Sequence, residues 1–127
     1  MELFEYVKTY WPIGILVLWL WFRWQRTSKA LGLVEQIEPG RLTMLDVRSR
    51  EEFSQANAPG SINIPLHELE SRMNELSKDQ TIAIACMIGV RSSKGRSMLI
   101  KHGFSQVHNL GNWQQFNRLT QRQQSRT

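Results

Sequence analysis

The chain has 127 residues, a single cysteine and a formal charge of +5, which allows one modest domain and excludes a multidomain enzyme. A lone Cys86 forms no intrachain disulfide and no Cys-based zinc site, so any thiol chemistry rests on that residue. The positive charge is not on the body: residues 30–117 hold nine basic and nine acidic side chains, while Arg23, Arg26 and Lys29 add +3 before it and Arg118, Arg122 and Arg126 add +3 after it. That layout argues against nucleic acid, whose binders concentrate cations and stacking aromatics on the folded domain.

Of twelve aromatic residues, eight lie in the first 24: Phe4, Tyr6, Tyr10, Trp11, Trp19, Trp21, Phe22 and Trp24. The uncharged run Thr9 to Phe22 is 14 residues, about 21 Å as a helix against the roughly 20 residues that span a bilayer. Extension from Leu3 to Trp24 gives about 33 Å if Lys8 snorkels and the aromatics form interfacial belts. Residues 1–29 therefore read as a single-pass transmembrane anchor helix with a basic juxtamembrane segment; a helix lying in the interface, bent at Pro12 and Gly14, is the alternative. An acidic start and bulky residues after the apolar run argue against a cleaved signal peptide. The trailing cations place the C-terminal domain in the cytoplasm, on a cell (inner) membrane, with the lipid bilayer as a partner.

From Ala30 the pattern becomes short apolar strands alternating with amphipathic segments, predicting an α/β domain with a mostly parallel sheet over residues 30–117. Leu31, Val34 and Ile37 are helically spaced until Pro39-Gly40; Leu42 to Val47 reads as a buried strand. Ser49 to Glu52 forms a capping-box opening for a short helix with Phe53 as its apolar contact. Ser61 to Ile64 is a brief strand, and Leu66, Leu69, Met73 and Leu76 mark one helix face. Thr81 to Ala85 is the strongest strand and runs into Cys86. A loop then leads to a helix from Ser92 to His102, a last strand Gln106 to Leu110 and a helix bearing Trp113 and Phe116. Residues 118–127, basic and Gln-rich, read as a flexible tail.

Cys86 ends a strand and precedes a helix, where ligands collect beyond the carboxyl ends of an open sheet. Helix N-terminal amides and a nearby Arg stabilise a thiolate and lower its pKa; Gly89 lets the loop curl so that its amides converge. A buried inert cysteine is the plain reading of such a residue taken alone, and Gly89, Arg91 and Ser92 at their spacings argue against it. His67, His102 and His108 are too dispersed to suggest a general base, and no metal or cofactor is expected.

Cys86-Met87-Ile88-Gly89-Val90-Arg91-Ser92 resembles the active-site loop of rhodanese-type sulfurtransferases: Cys, two variable residues, Gly, one variable residue, Arg, Ser. Leu45-Asp46-Val47-Arg48 with Glu52-Phe53, the run Pro59-Gly60-Ser61-Ile62-Asn63-Ile64-Pro65-Leu66, and Gly103-Phe104 with Val107, Asn109-Leu110-Gly111 and Trp113 are similar to further elements of that family. The resemblance implies a rhodanese-like domain in which Cys86 carries sulfane sulfur as a persulfide. Met87, Ile88, Gly89, Val90, Arg91 and Ser92 would then bind the substrate, and Asp46 and Arg48 would support the loop structurally. The sequence departs from the family at Ala56-Asn57-Ala58, where Gly-His-Ile is usual, and at Asn112, where a glycine is usual. Cysteine phosphatases place five residues between nucleophile and Arg; here there are four, too short a cradle for phosphate. With Met87, Ile88 and Val90 all apolar, the reading favours a protein or small-molecule persulfide over thiosulfate as sulfur donor. Without a second cysteine, the acceptor is an external thiol or cyanide. A sulfur-trafficking or membrane protein would be the natural partner of an anchored form. A catalytically quiet, membrane-anchored binding or sensing module is the competing function.

Overall fold

A computed structural model describes residues 2–125. Its elements in chain order are helix α1 (Glu2–Val34), strand β1 (Leu42–Asp46), helix α2 (Arg50–Gln55), strand β2 (Ile62–Asn63), helix α3 (Leu66–Arg72), strand β3 (Thr81–Cys86), helix α4 (Val90–Lys101), strand β4 (Val107–Asn112) and helix α5 (Gln115–Ser125). Short 3-10 turns cover Pro39–Arg41 and Met73–Glu75. The four strands form one wholly parallel sheet in the order β2-β1-β3-β4.

Side-chain alternation along β3 divides the core. Ile82, Ile84 and Cys86 face a cluster with Leu69, Met73, Leu99 and Phe104, whereas Ala83 and Ala85 face Leu31, Val34, Leu110, Phe116 and Leu119. Helices α3 and α4 therefore cover one face of the sheet and α1 and α5 the other. Small residues on the second face let α1 and α5 approach closely. On the first face Gly95 of α4 serves the same end: a Cβ there would stand 2.8 Å from Cδ1 of buried Ile84 and 3.3 Å from Leu69. Gly95→Val is expected to destabilise the fold by about 1–3 kcal/mol through overpacking, seen as a lower urea midpoint at unchanged slope.

Three expectations change. No helix among the described residues is long and apolar enough to cross a membrane. Length is present, since α1 has 33 residues; apolarity is not. Glu2, Glu5 and Lys8 open α1, Arg23, Arg26 and Lys29 interrupt its far end, and Trp and Tyr carry polar atoms that dilute the apolar run. The predicted transmembrane anchor falls, and with it the inner-membrane localisation, the cytoplasmic orientation and the bilayer as partner, which all rested on that span. The N-terminal helix also does not end at residue 29: α1 is continuous to Val34, and its last turns pack on β4 and bury Leu31 and Val34. Finally, the segment from residue 118 is helical as far as Ser125. Gln and Arg favour helix, Leu119 joins Phe116 in the core, and Arg122 pairs with Glu35 at 3.1 Å. Residues 126 and 127 of the predicted tail lie outside the described residues.

Candidate active site

Strand order places the site. β1 connects outward to β2, and the chain then returns to lay β3 on the other side of β1, so the topological switch lies between β1 and β3. Loops from the carboxyl ends of those two strands diverge there and leave a crevice. Asp46 ends β1 and Cys86 ends β3.

The loop after Cys86 curls around its own sulfur. The Gly89 amide donates to Cys86 Sγ at 3.0 Å, and Ser92 Oγ lies 3.4 Å from it. Gly89 has φ +90°, a left-handed conformation that turns its N–H inward and caps α4. Ser92 Oγ also lies 2.7 Å from Asn109 Oδ1; its single, freely rotating proton goes to that oxygen while Cys86 is a neutral thiol that donates to the hydroxyl, and turns to the sulfur when the thiol ionises. Asn109 also donates to the Gly89 carbonyl at 3.2 Å and accepts from the Gly111 amide at 2.9 Å. Beyond Ile84, the pairing between β3 and β4 slips by one residue, so that Ala85 faces Gly111 instead of Leu110; this bulge brings Asn109 and Gly111 to the loop.

Burial pushes the Cys86 thiol up, but the Ser92 hydroxyl and the amides of Ser92, Gly89 and Ile88 outweigh it and hold the thiol below its ordinary value. The thiolate is therefore populated at lower pH than in a free cysteine. Titration of thiolate ultraviolet absorbance should show a midpoint below that of a free cysteine, with the signal lost as pH falls through it. Ser92→Ala removes a donor from the charged form and should move that midpoint upward.

Arg91 departs from expectation. Its guanidinium makes a two-point ion pair with Glu52, Nη1 to Oε1 at 2.6 Å and Nη2 to Oε2 at 3.0 Å, and no hydrogen bond joins it to the thiol among the described residues. The Arg91 hydrogen bond is the main cause that lowers the Glu52 carboxyl to about 2, so the pair persists at any ordinary pH. Glu52 is held in place by the predicted capping box, in which Ser49 Oγ accepts from the Glu52 amide and Glu52 Oε1 accepts from the Ser49 amide.

Asp46 and Arg48 are buried and joined, Arg48 Nη2 to Asp46 Oδ2 at 2.9 Å, with the Arg48 Nε and amide also donating to the carboxylate. The guanidinium donates further to the Ala56 carbonyl at 2.7 Å and lies 4.3 Å from the centre of the Trp113 ring. The backbone N–H of Trp113 donates to the Cys86 carbonyl at 2.8 Å. Met87, Ile88 and Val90 are exposed and form an apolar crown on the loop.

Of the predicted site residues, the structure brings Cys86, Gly89 and Ser92 together, directs Arg91 to Glu52, and sets Met87, Ile88 and Val90 outward. Sequence reasoning missed Glu52 as a clamp, Asn109 as the organiser of the loop, and Arg23. The Arg23 guanidinium reaches from α1 to the Ile88 carbonyl. In the sequence Glu52 reads as a cap and Arg23 as a juxtamembrane charge, and nothing local pairs Asn109 with Ser92.

A family model described as "Rhodanese-like domain" matches residues 30–118. YrkF of Bacillus subtilis, provisionally named a sulfur carrier protein, is 44% identical over 69 residues, which is 54% of this chain and 37% of that protein. The thiosulfate sulfurtransferase PspE of Escherichia coli is 33% identical over 69 residues, 53% of this chain and 66% of that protein. Among solved structures, one described as rhodanese with anions from E. coli superposes with a TM-score of 0.55 at 30% identity, covering 58% of this chain and 89% of that one. The chain thus spans little more than a third of one of these relatives and about two thirds of the other. A parallel sheet with a cysteine loop at its switch point, matched by that family over most of the chain, makes this protein a member of the rhodanese-like domain family, in which its relatives support sulfur transfer as the general activity.

Proposed function

We propose that the protein is a sulfurtransferase in which Cys86 carries sulfane sulfur between a persulfide donor and an external thiol. The observation that carries this is the convergence of the Gly89 amide and the Ser92 hydroxyl on the Cys86 sulfur, a cradle that an inert buried cysteine does not need. The Cys86 thiolate attacks the outer sulfur of a donor R–S–SH. A Cys86–sulfur bond forms, the donor S–S bond breaks, and R–S⁻ leaves with the electron pair. The same amides then hold the Cys86 persulfide anion. An acceptor thiolate attacks its outer sulfur, takes it as a new persulfide and releases the Cys86 thiolate, so no external oxidant or reductant is consumed. Cyanide would accept the sulfur in the same way, leaving as thiocyanate. With no second cysteine in the chain, the acceptor comes from outside and the kinetics are ping-pong.

The crown and the clamp together favour a persulfide over thiosulfate. Met87, Ile88 and Val90 present apolar surface at the mouth, and Arg91, the one cation within the loop, is neutralised by Glu52. A doubly charged donor therefore meets little compensation for its desolvation.

Intact-mass spectrometry after incubation with thiosulfate or with glutathione persulfide tests this. The expected result is a gain of about 32 Da, one sulfur atom, faster with the persulfide, reversed by excess thiol and absent from Cys86→Ser. No gain with either donor would reject sulfur carriage and leave a rhodanese-like binding module. Faster loading from thiosulfate would reject the donor assignment alone.

A further inference from the structure

The loop that cradles the Cys86 sulfur is held from outside by its carbonyls. Three successive carbonyl oxygens each accept a side-chain donor: Met87 from Asn112 Nδ2 at 3.0 Å, Ile88 from the Arg23 guanidinium, and Gly89 from Asn109 Nδ2 at 3.2 Å. A trans peptide is planar, and its C=O and N–H point in opposite directions. Fixing one carbonyl outward therefore aims the next residue's amide inward. The Ile88 carbonyl shares its peptide with the Gly89 amide, the donor 3.0 Å from Cys86 Sγ. The Met87 carbonyl shares its peptide with the Ile88 amide, which also favours the thiolate.

Of these three donors, Arg23 differs in origin and in charge. Asn109 and Asn112 come from β4, the strand beside β3. Arg23 comes from α1, eight residues before buried Leu31, which is about 12 Å along the helix axis. A charged donor polarises the peptide it grips, so the Gly89 N–H gains strength as well as direction. Arg91, the cation inside the loop, is committed to Glu52, and the cationic support of the backbone therefore comes from outside the loop. The guanidinium of Arg23 is itself placed. Its central carbon lies 4.7 Å from the centre of the Trp19 ring, one turn back along the helix. Gly89, lacking a side chain, leaves room for Nη2, which stands 2.9 Å from where a Cβ would be.

We infer that Arg23 is a positioning residue of the sulfur site: by holding the Ile88 carbonyl it aims the Gly89 amide at Cys86 Sγ, and α1 is thereby part of the active site. The assignment rests on the sulfur-transfer reading for its effect on rate, whereas its effect on the thiol is independent of any donor. Without Arg23, water takes the exposed Ile88 carbonyl, and the peptide is free to rotate. The Gly89 N–H then leaves the sulfur for part of the time, the thiolate loses a donor, and the Cys86 thiol rises toward its ordinary value. A smaller fraction of Cys86 is ionised near neutral pH, and attack on a sulfur donor slows.

The test is an ultraviolet thiolate titration of the full chain and its Arg23 variants, in which Cys86 is the only thiol. Arg23→Ala is expected to move the midpoint upward. It should also slow single-turnover sulfur uptake from glutathione persulfide at neutral pH by about tenfold, as for the loss of one hydrogen bond that involves a charged group. That deficit should narrow as pH rises past the variant's midpoint. Arg23→Lys keeps a charged donor and is expected to recover part of the shift, whereas Arg23→Met keeps only the apolar stem and is expected to recover none. Arg26→Ala, an exposed position on the same helix, is the control and should titrate like the natural chain. An unshifted midpoint in Arg23→Ala, or equal recovery by Lys and Met, would overturn the assignment and leave Arg23 as a strut between helix and loop. An equal shift in Arg26→Ala would overturn it too, since net charge would then suffice. If the midpoint moves in Arg23→Ala but no donor loads Cys86, sulfur transfer fails as the function and the positioning role stands.

Discussion

Asp46→Ala is expected to lower stability by about 3–5 kcal/mol, because it strands a buried guanidinium without its counter-charge. Arg48 is 2% exposed and Asp46 fully buried; the carboxylate accepts from the Arg48 amide, Nε and Nη2. Against a total of about 5–15 kcal/mol for a domain, that loss leaves many molecules unfolded. Urea denaturation would show it as a fall in midpoint, and Asp46→Asn, which keeps hydrogen-bond acceptance but not charge, should fall between. Adding Arg48→Met to Asp46→Ala should recover part of the loss, since removing both charges removes the unpaired one. A decline of less than about 1 kcal/mol in the single variant would mean that water reaches Arg48 and that the pair contributes little. The damage extends to the loop, for Arg48 also holds the Ala56 carbonyl just after α2, and α2 carries the Glu52 that fixes Arg91.

Gly89→Ala is expected to disable sulfur transfer while leaving most of the fold intact. A left-handed backbone costs a residue with a Cβ about 1–2 kcal/mol. The added carbon would stand 3.1 Å from Gly111 Cα as well as 2.9 Å from Arg23 Nη2. The arginine tip can move; the Gly111 backbone, fixed by the Asn109 side chain, cannot move as cheaply. Relief comes by rotating the Gly89 peptide, which swings its N–H off Cys86 Sγ. Loss of one preorganised donor to a developing anion reduces rates by about 10²–10³-fold in comparable sites, and that range is expected for single-turnover sulfur uptake. The thiol titration should move upward in the same variant, the sign that the amide and not the crown is responsible. Transfer at the natural rate with an unshifted titration would show that Gly89 serves only the turn.

Periodicity and punctuation made the body legible. The β3 run, the Ser49 to Glu52 box and the Leu66 to Leu76 face appear in the structure within a residue or two of their sequence positions. Cys86, Gly89 and Ser92 were legible as a unit because they are neighbours in the chain. Asn109 and Glu52 were not, since each meets the loop only after the sheet aligns strands distant in sequence. Arg91 shows the limit of motif reading, which identified the cation but not the carboxylate 39 positions away that occupies it. The N-terminal segment differs for another reason: its aromatic residues resemble a membrane signal, while the charges at both ends of a 14-residue run deny the helix its apolar length. At the other end, polarity concealed the Phe116 and Leu119 stripe that keeps α5 helical.

The unbroken course of α1 gives the molecule a fixed rotational phase. Because a helix turns about 100° with each residue, the direction in which Tyr10, Trp11 and Trp19 point is geared to the direction in which Arg23 meets the Ile88 carbonyl. One residue inserted between Trp24 and Ala30 would turn everything before it by more than a quarter revolution, carrying Arg23 off the loop while Leu31 and Val34 stayed seated. Seven inserted residues, close to two full turns, would restore the bearing but move Arg23 about 10 Å along the axis. The spacing between Arg23 and the buried end of α1 is therefore a molecular ruler as well as a linker, and its tolerance to insertion is set by geometry rather than composition.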